Sequence, residues 1–488
     1  MLQEVDGELR TVPDSIVSKP FRQELLASIR IGGPLALGEL GWMSTYIVDA
    51  MMIGRLSHSA QSIAASSLGN TIYYAIAFFA IYMLNGLETF VAQAAGQGNR
   101  SESVRLLMQS MWIVLIGTPF VMVASLAAAS LLPHLGTPAA LFGETERYLH
   151  ALVWSTAPLM LYMALRRFLQ SINRVLLVSA SLITSGFVNW FFDWCLLFGH
   201  MHLPALGIAG SGWSTVLVRC WMLFVLIPGA FIAFRELDVW PTLQMLVPDR
   251  TRLTAMLQIG WPSGLEFSLE LAISTYMSIL CARLGTTYLA AHQVTLDLNA
   301  FAYMVPTGLS YAAMIRVGQA AGRNQLSGVK RATNASLTLA MGYSLAMAVV
   351  FLCFSRRLAM LYTNDAQVVT AAVPLLTLCA LLIVADAAFV IYASAFTGLG
   401  DTKTPLWVSL TCNWGLGMPA AYLLAFPLGY GVHGLWMGRA LASVTTGLAM
   451  TLWWQYRMRS EQGGAKARSL NLLSTFQPAD VGGQTHTF

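Results

Sequence analysis

Long apolar stretches, punctuated by short clusters of glycine, proline and charge, fill almost the whole chain. Residues 108–132, 176–198, 208–234, 332–354, 366–396 and 432–454 form runs long enough to cross a hydrocarbon layer of roughly 30 Å, which takes about 20 helical residues. A buried helix of a water-soluble protein explains one such run, but not a whole series of them. The punctuation predicts about twelve helical spans, six on either side of a junction near residues 235–252.

The two sets of six are copies of one unit. Ile31-Gly32-Gly33-Pro34 recurs as Ile259-Gly260-Trp261-Pro262, Arg55-Leu56 as Arg283-Leu284, and Ala92-Gln93-Ala94-Ala95-Gly96 as Gly318-Gln319-Ala320-Ala321-Gly322. Phe168 recurs as Phe396, Asn189-Trp190 as Asn413-Trp414, and Gly207-Ile208-Ala209-Gly210 as Gly431-Val432-His433-Gly434. Separations that stay between 224 and 228 residues over the full length mark a duplicated lobe rather than a solenoid. Six spans per lobe is an even number, so both lobes enter the membrane in the same direction and their pseudo-twofold runs along its normal. The expected class is an all-α polytopic membrane protein of two six-helix lobes. Its expected parts are a cytoplasmic segment at 1–24, an N-lobe at 25–234 and a linker at 235–251, then a C-lobe at 252–456 and a mobile cytoplasmic tail at 457–488.

Composition agrees with the pattern. The chain is 56% apolar and only 10% charged, where soluble domains carry roughly 25% charge; its mean hydropathy is +0.61. Lysines and arginines fix the orientation. With the N-terminus in the cytoplasm, Lys19, Arg22, Arg100, Arg105, Arg167, Arg174, Arg235, Arg250, Arg252, Arg323, Lys330, Arg331, Lys403, Arg457, Arg459, Lys466 and Arg468 lie inside, against Arg55, Arg147, Arg283, Arg356 and Arg357 outside. Both termini are therefore expected in the cytoplasm. The net charge of +5 reflects this asymmetry and not a nucleic-acid surface. The polar start of the chain does not read as a cleaved signal, and the six cysteines lie in or beside apolar spans without a CxxC pair.

Ionisable residues inside spans are costly, about 2.5–3.5 kcal/mol on insertion scales, and so mark function. Asp49 falls in the outer part of the first span. Asn189 and Asp193 share one face of the fifth, where they offer oxygen ligands to a small cation or acceptors to a proton. The second lobe carries Glu266 and Glu270 one turn apart in the seventh span, Asp297 four residues after Gln293 in the eighth, and Asp386 in the tenth. Four carboxylates on three spans cannot all face lipid. Glu39 lies near a span start, while Arg219 and Arg439, in the last span of each lobe, are expected to snorkel or cap a helix. Methionine and aromatic side chains are plentiful enough to line a cavity for apolar cations.

Two motifs exclude alternatives. Gly398-Leu399-Gly400-Asp401 has the GxGD spacing of an intramembrane aspartyl protease, but Thr402-Lys403-Thr404-Pro405 follows directly, so it reads as a helix end and the next helix start. No G-x-x-x-x-G-K-[ST] occurs, so uphill transport has to draw on an ion gradient.

The residues resemble a family. Leu289-Ala290-Ala291-His292-Gln293-Val294, Met304 through Ser310 and Ile315 through Gly322 look like the eighth span and its exit in multidrug and toxic compound extrusion (MATE) transporters. So do Val48-Asp49 with Gly54-Arg55-Leu56, Glu88 through Gly96, and Gly398 through Pro405. The resemblance covers about residues 25–455. It implies a V-shaped pair of lobes that alternates access and exports cationic, amphipathic compounds in exchange for protons or sodium. It also implies roles. Asp49, Asn189, Asp193 and the Thr215 hydroxyl would bind the coupling ion, the first three as metal ligands only with sodium, while Glu270 and Asp386 would bind substrate or a second proton. Asp297, Glu39 and Glu266 depart from the family pattern as additional carboxylates, of which Asp297 and Glu266 are expected to join Glu270 and Asp386 in binding substrate or a proton.

The resulting expectation is a secondary antiporter for small organic molecules, a monomer with no cofactor beyond H+ or Na+, set in lipid in a bacterial inner membrane. A lipid-linked oligosaccharide flippase would want a cationic cavity for a diphosphate. An intramembrane enzyme would want a nucleophile or metal constellation, whereas His292 is expected to hydrogen-bond a neighbouring helix.

Overall fold

Residues 2–5, 8–11, 21–56, 59–135, 138–462 and 472–473 are described in the computed structural model. The first lobe comprises α1 (Phe21–Ile53), α2 (Ser59–Met83) continued by α3 (Asn85–Gln97), α4 (Arg100–Ser130), α5 (Ala139–Leu152) continued by α6 (Thr156–Ser171), α7 (Val175–Phe198) and α8 (Ile208–Leu237). A short α9 (Leu243–Leu246) lies in the connection. The second lobe comprises α10 (Arg250–Leu284), α11 (Thr286–Gly322), α12 (Leu326–Met360), α13 (Ala366–Gly398), then α14 (Lys403–Ser409) and α15 (Met418–Ala425) joined through a π-helical segment at Leu410–Gly417, and α16 (Gly431–Gln462). A small antiparallel hairpin of β1 (Leu2–Val5) and β2 (Glu8–Thr11) precedes the helices.

Eight of these spans are long and apolar enough to cross a membrane by composition alone. The four that fall short are α1, α11, the composite α14–α15 span and α16, which carry Asp49, Asp297, Asn413 and Arg439. Large apolar side chains such as Leu115, Ile116, Val123, Phe187 and Leu452 stay exposed on the outer helix faces, a surface that suits lipid and not water.

The helix ends repeat as the sequence does. Gly98 and Asn324 leave α3 and α11 with φ of 75° and 56°, and Asn173 and Gly400 leave α6 and α13 with φ of 65° and 81°. This left-handed turn suits glycine and asparagine and ends a helix without straining the chain. Caps follow: Asn99 accepts from the Glu102 backbone N–H, and Asp249 from those of Thr251 and Arg252. Asp401 accepts from the Thr404 backbone N–H at 3.1 Å and its hydroxyl at 2.8 Å, so the GxGD sequence is a helix start.

The repeated Gln-Ala-Ala-Gly sequences pack against each other across the lobes. A Cβ on Gly96 would run into the Gln319 carbonyl, and one on Gly322 into the Gln93 carbonyl. Gln93 Nε2 donates across to the Gly398 carbonyl at 3.1 Å, and Gln319 Nε2 to the Ser171 carbonyl at 3.0 Å. The result is a pseudo-symmetric clasp at the end of the bundle expected to face the cytoplasm. Further close approaches between the lobes are Gly86 to Met256, Gly260 to Met83 and Gly308 to Ala36, since small residues let backbones meet. Arg252 adds bonds to both Glu102 oxygens at 2.8 and 2.9 Å, and Arg316 one to Glu24 at 2.8 Å.

Two expectations about segment ends change. Residues 235–237 belong to α8 and the linker holds α9. In the region expected to be a mobile tail, residues 457–462 finish α16 and Leu472–Leu473 pack on the clasp: the Leu472 N–H donates to Gln93 Oε1 at 2.9 Å, and Leu473 is buried. A two-leucine contact is too short to stand out in a polar stretch. The remaining tail positions, with Lys466 and Arg468, and Lys19 near the start, lie outside the described residues.

Candidate functional site

Helices α1 and α7 touch through small residues. Cβ atoms on Gly41 and Gly186 would press on Ile183 and Ser44, and this close crossing sets Asp49 beside Asn189. Asn189 Nδ2 donates to Asp49 Oδ1 at 2.7 Å and to Asp193 Oδ2 at 3.0 Å. Asn189 thus bridges the two carboxylates. Asp193 is fully buried, and its Oδ1 has no hydrogen-bond partner among the described residues. A small pocket of about 30 Å³ adjoins, lined by Asp49, Asn70, Tyr74, Tyr148 and Thr215, large enough for a water. The Thr215 hydroxyl donates to the Ser211 carbonyl at 3.0 Å and so lines the pocket without bonding the acids.

Arg219 neither snorkels nor caps. It is 3% exposed, and its guanidinium donates to Tyr73 and Tyr74 hydroxyls, each at 2.8 Å, and to Ser155. Its charge is thus spread over phenols beside the acids. Buried polar partners of this kind replace the water that an arginine loses.

Between the lobes lies a cavity of about 400 Å³. Its N-lobe wall holds Arg166 paired with Glu39, while Arg167 bonds Glu88 at 2.7 Å. Arg167 was expected in a cytoplasmic flank; it is instead buried, because Glu88 from α3 supplies its counter-charge. The C-lobe wall holds Glu266 and Glu270 with Phe267, whose ring stacks on Tyr82 at 4.5 Å and meets Phe78 edge-on at 4.7 Å. Trp42 and Tyr46 line both this cavity and the Asp49 pocket, forming the partition between them.

The other C-lobe acids separate from this wall. Asp386 faces Arg439 at 3.9 Å, and Arg439 also donates to Asn413 Oδ1 at 3.3 Å. Arg439 is therefore a partner of an intramembrane acid and not a snorkelling residue. Asp297 accepts from Gln293 at 2.9 Å and does not line the cavity. His292 reaches Ser278 on α10 at 3.1 Å, the helix-to-helix bond expected of it.

The structure thus sets Asp49, Asn189 and Thr215 on one pocket, with Asp193 bonded to Asn189 behind it, sets Glu266 and Glu270 on another, and leaves Asp386 and Asp297 apart. Sequence reasoning missed Arg166, Arg167 and Tyr46. Adjacent arginines beside an apolar span were the available signal. Among the described residues no group of three or more His, Cys, Asp or Glu side chains is placed to hold a metal. In the N-lobe site the Asn189 amide N–H atoms, not its oxygen, point at the carboxylates.

A family model described as MatE matches the chain twice, over residues 34–195 and 262–423, one match in each lobe. The chain is 30% identical over 458 residues to the "Probable multidrug resistance protein NorM" of Rhizobium meliloti, covering 91% of this chain and 95% of that protein. It is 26% identical over 450 residues to the "Multidrug resistance protein NorM" of Aliivibrio fischeri, covering 89% and 96%. Its fold matches that of the Vibrio cholerae MATE transporter VcmN in the bent form with a TM-score of 0.79 at 20% identity, over 91% of this chain and 98% of that one. It also matches an outward-facing multidrug resistance MATE family transporter with a TM-score of 0.82 at 18% identity, over 90% and 96%.

Proposed function

The chain belongs to the MATE family of transporters, and from that premise we propose that it is a multidrug efflux antiporter that expels organic cations in exchange for protons bound at Asp49 and Asp193. On this reading the clasp closes the cytoplasmic end of the bundle, with the central cavity beyond it. The single observation that carries the choice of ion is Asn189 bridging two carboxylates while Asp193 Oδ1 stays unpaired. A sodium ion needs several oxygens converging on one point, and here an amide nitrogen holds that point. A proton needs only the open acceptor.

Helix α1 links the two sites. It carries Asp49, and it also gives the cavity Glu39, Trp42, Met43 and Tyr46. Pro34 sits inside it, where the missing backbone donor makes a helix bend easily. A proton arriving at Asp49 or Asp193 weakens the Asn189 bridge, frees α1 from α7, and shifts the cavity wall. Substrate and proton then favour different conformations, which is the condition for coupling. The flippase reading loses its basis because both cavity arginines are already matched by Glu39 and Glu88.

Efflux of a fluorescent lipophilic cation from inside-out vesicles, with proton and sodium gradients imposed separately, tests this. A proton gradient alone should drive transport. Transport driven by sodium alone overturns the choice of ion, and transport driven by neither overturns the antiporter.

A further inference from the structure

Charge in the central cavity is unevenly balanced. Arg166 and Arg167 are matched by Glu39 and Glu88 on the N-lobe side. On the opposite wall, Glu266 and Glu270 both line the cavity and, among the described residues, accept no hydrogen bond and no ion pair from another side chain. Arg439 of the same lobe is engaged by Asp386 and Asn413. Across the cavity, two N-lobe side chains also have a free polar atom among the described residues: Asn85, 8% exposed, at its Oδ1, and Gln170, 1% exposed, at its Nε2.

The two glutamates are four residues apart on α10, so they lie on one helix face about 6 Å apart along its axis. Phe267 stands beside them, packed against Tyr82 and Phe78, and offers a ring to a cation. We propose that the cavity is built for an organic dication, with Glu266 and Glu270 each facing one of two positive charges spaced by about one helical turn. Glu266 is then the specificity-determining residue, because removing it leaves a site that matches a single charge. The proposal rests on the reading of this cavity as the exporter's substrate site.

The test uses the full-length protein in detergent and in proteoliposomes with para-xylylene-bis(trimethylammonium) and its single-charge half, benzyltrimethylammonium. The wild type should bind the dication at least about tenfold more tightly, one charge-pair difference at a partly screened site. Glu266→Gln should remove that preference while leaving the monocation within about twofold, Glu266→Asp should restore much of it, and Glu270→Gln should weaken both probes. A Glu266→Gln protein that keeps the dication preference, or loses both probes equally, overturns the assignment. Gradient-driven export of the monocation by the wild type without any dication preference also overturns it but leaves the antiporter standing. Export of neither probe under any gradient removes both.

Discussion

The two lobes share a scaffold and differ in where one arginine sits. At the repeat separation of the fifth and sixth spans, Asn189 corresponds to Asn413, Thr215 to Arg439 and Arg219 to Ser443. In the N-lobe, arginine sits one turn further along α8, bonds Tyr73 and Tyr74 rather than an acid, and leaves Asn189 to bridge Asp49 and Asp193. In the C-lobe it sits one turn earlier on α16, faces Asp386 at 3.9 Å and reaches Asn413 at 3.3 Å. A four-residue displacement thus turns an open pair of acids into a charge-balanced one. The partner span differs too: α7 is an unbroken helix, while its counterpart carries a π-helical segment around Asn413, a distortion often found at functional positions. On the proposed reading the N-lobe exchanges a proton, while the C-lobe holds its helices together and presents its cavity wall to substrate.

The sharpest break of this comparison is at the open acids. Asp49→Asn and Asp193→Asn should each reduce gradient-driven efflux to background with the protein still inserted, whereas Asp386→Asn should keep measurable transport; efflux assays on matched membrane amounts decide it. Next in size is the C-lobe pair. Arg439→Thr, which gives the C-lobe the N-lobe residue, should lower stability by about 1–3 kcal/mol, as Asp386 loses its counter-charge and Asn413 its donor, and adding Asp386→Asn should recover most of that in a thermal-unfolding assay.

The clasp gives smaller effects. Gly96→Ala and Gly322→Ala force a methyl onto a carbonyl and should cost the closed clasp about 1–3 kcal/mol. A single cysteine at Thr397, in an otherwise cysteine-free chain, should then react faster with a membrane-impermeant maleimide from the cytoplasmic side. Smallest are the glutamines. Gln319→Leu should cost about 1 kcal/mol and Gln93→Leu somewhat more, since Gln93 holds both Gly398 and Leu472. Equal effects would remove the tail from the clasp.

Much of this was legible in the chain. A long apolar run can only become a span, and the Gly and Asn positions that close α3, α6, α11 and α13 are conformational necessities visible as letters. The acids of Asp49, Asp193, Glu266 and Glu270 stood out because charge inside a span is rare. Their partners did not stand out. Arg167 sits among positive residues at a span end and looks like a cytoplasmic flank until α3 brings Glu88 to it. Whether Arg219 or Arg439 meets an acid depends on a single helical turn, which hydrophobic pattern leaves undetermined. Thr215 kept its place in the pocket but spends its hydroxyl on its own helix, a local choice that spacing does not fix.

The most direct test of a proton-exchanging N-lobe is to count protons released when a lipophilic cation is added to the purified protein in weakly buffered solution. The wild type and Arg439→Thr should release protons in proportion to cation bound, and Asp49→Asn should bind the cation and release none. Proton release by Asp49→Asn equal to that of the wild type would contradict the account.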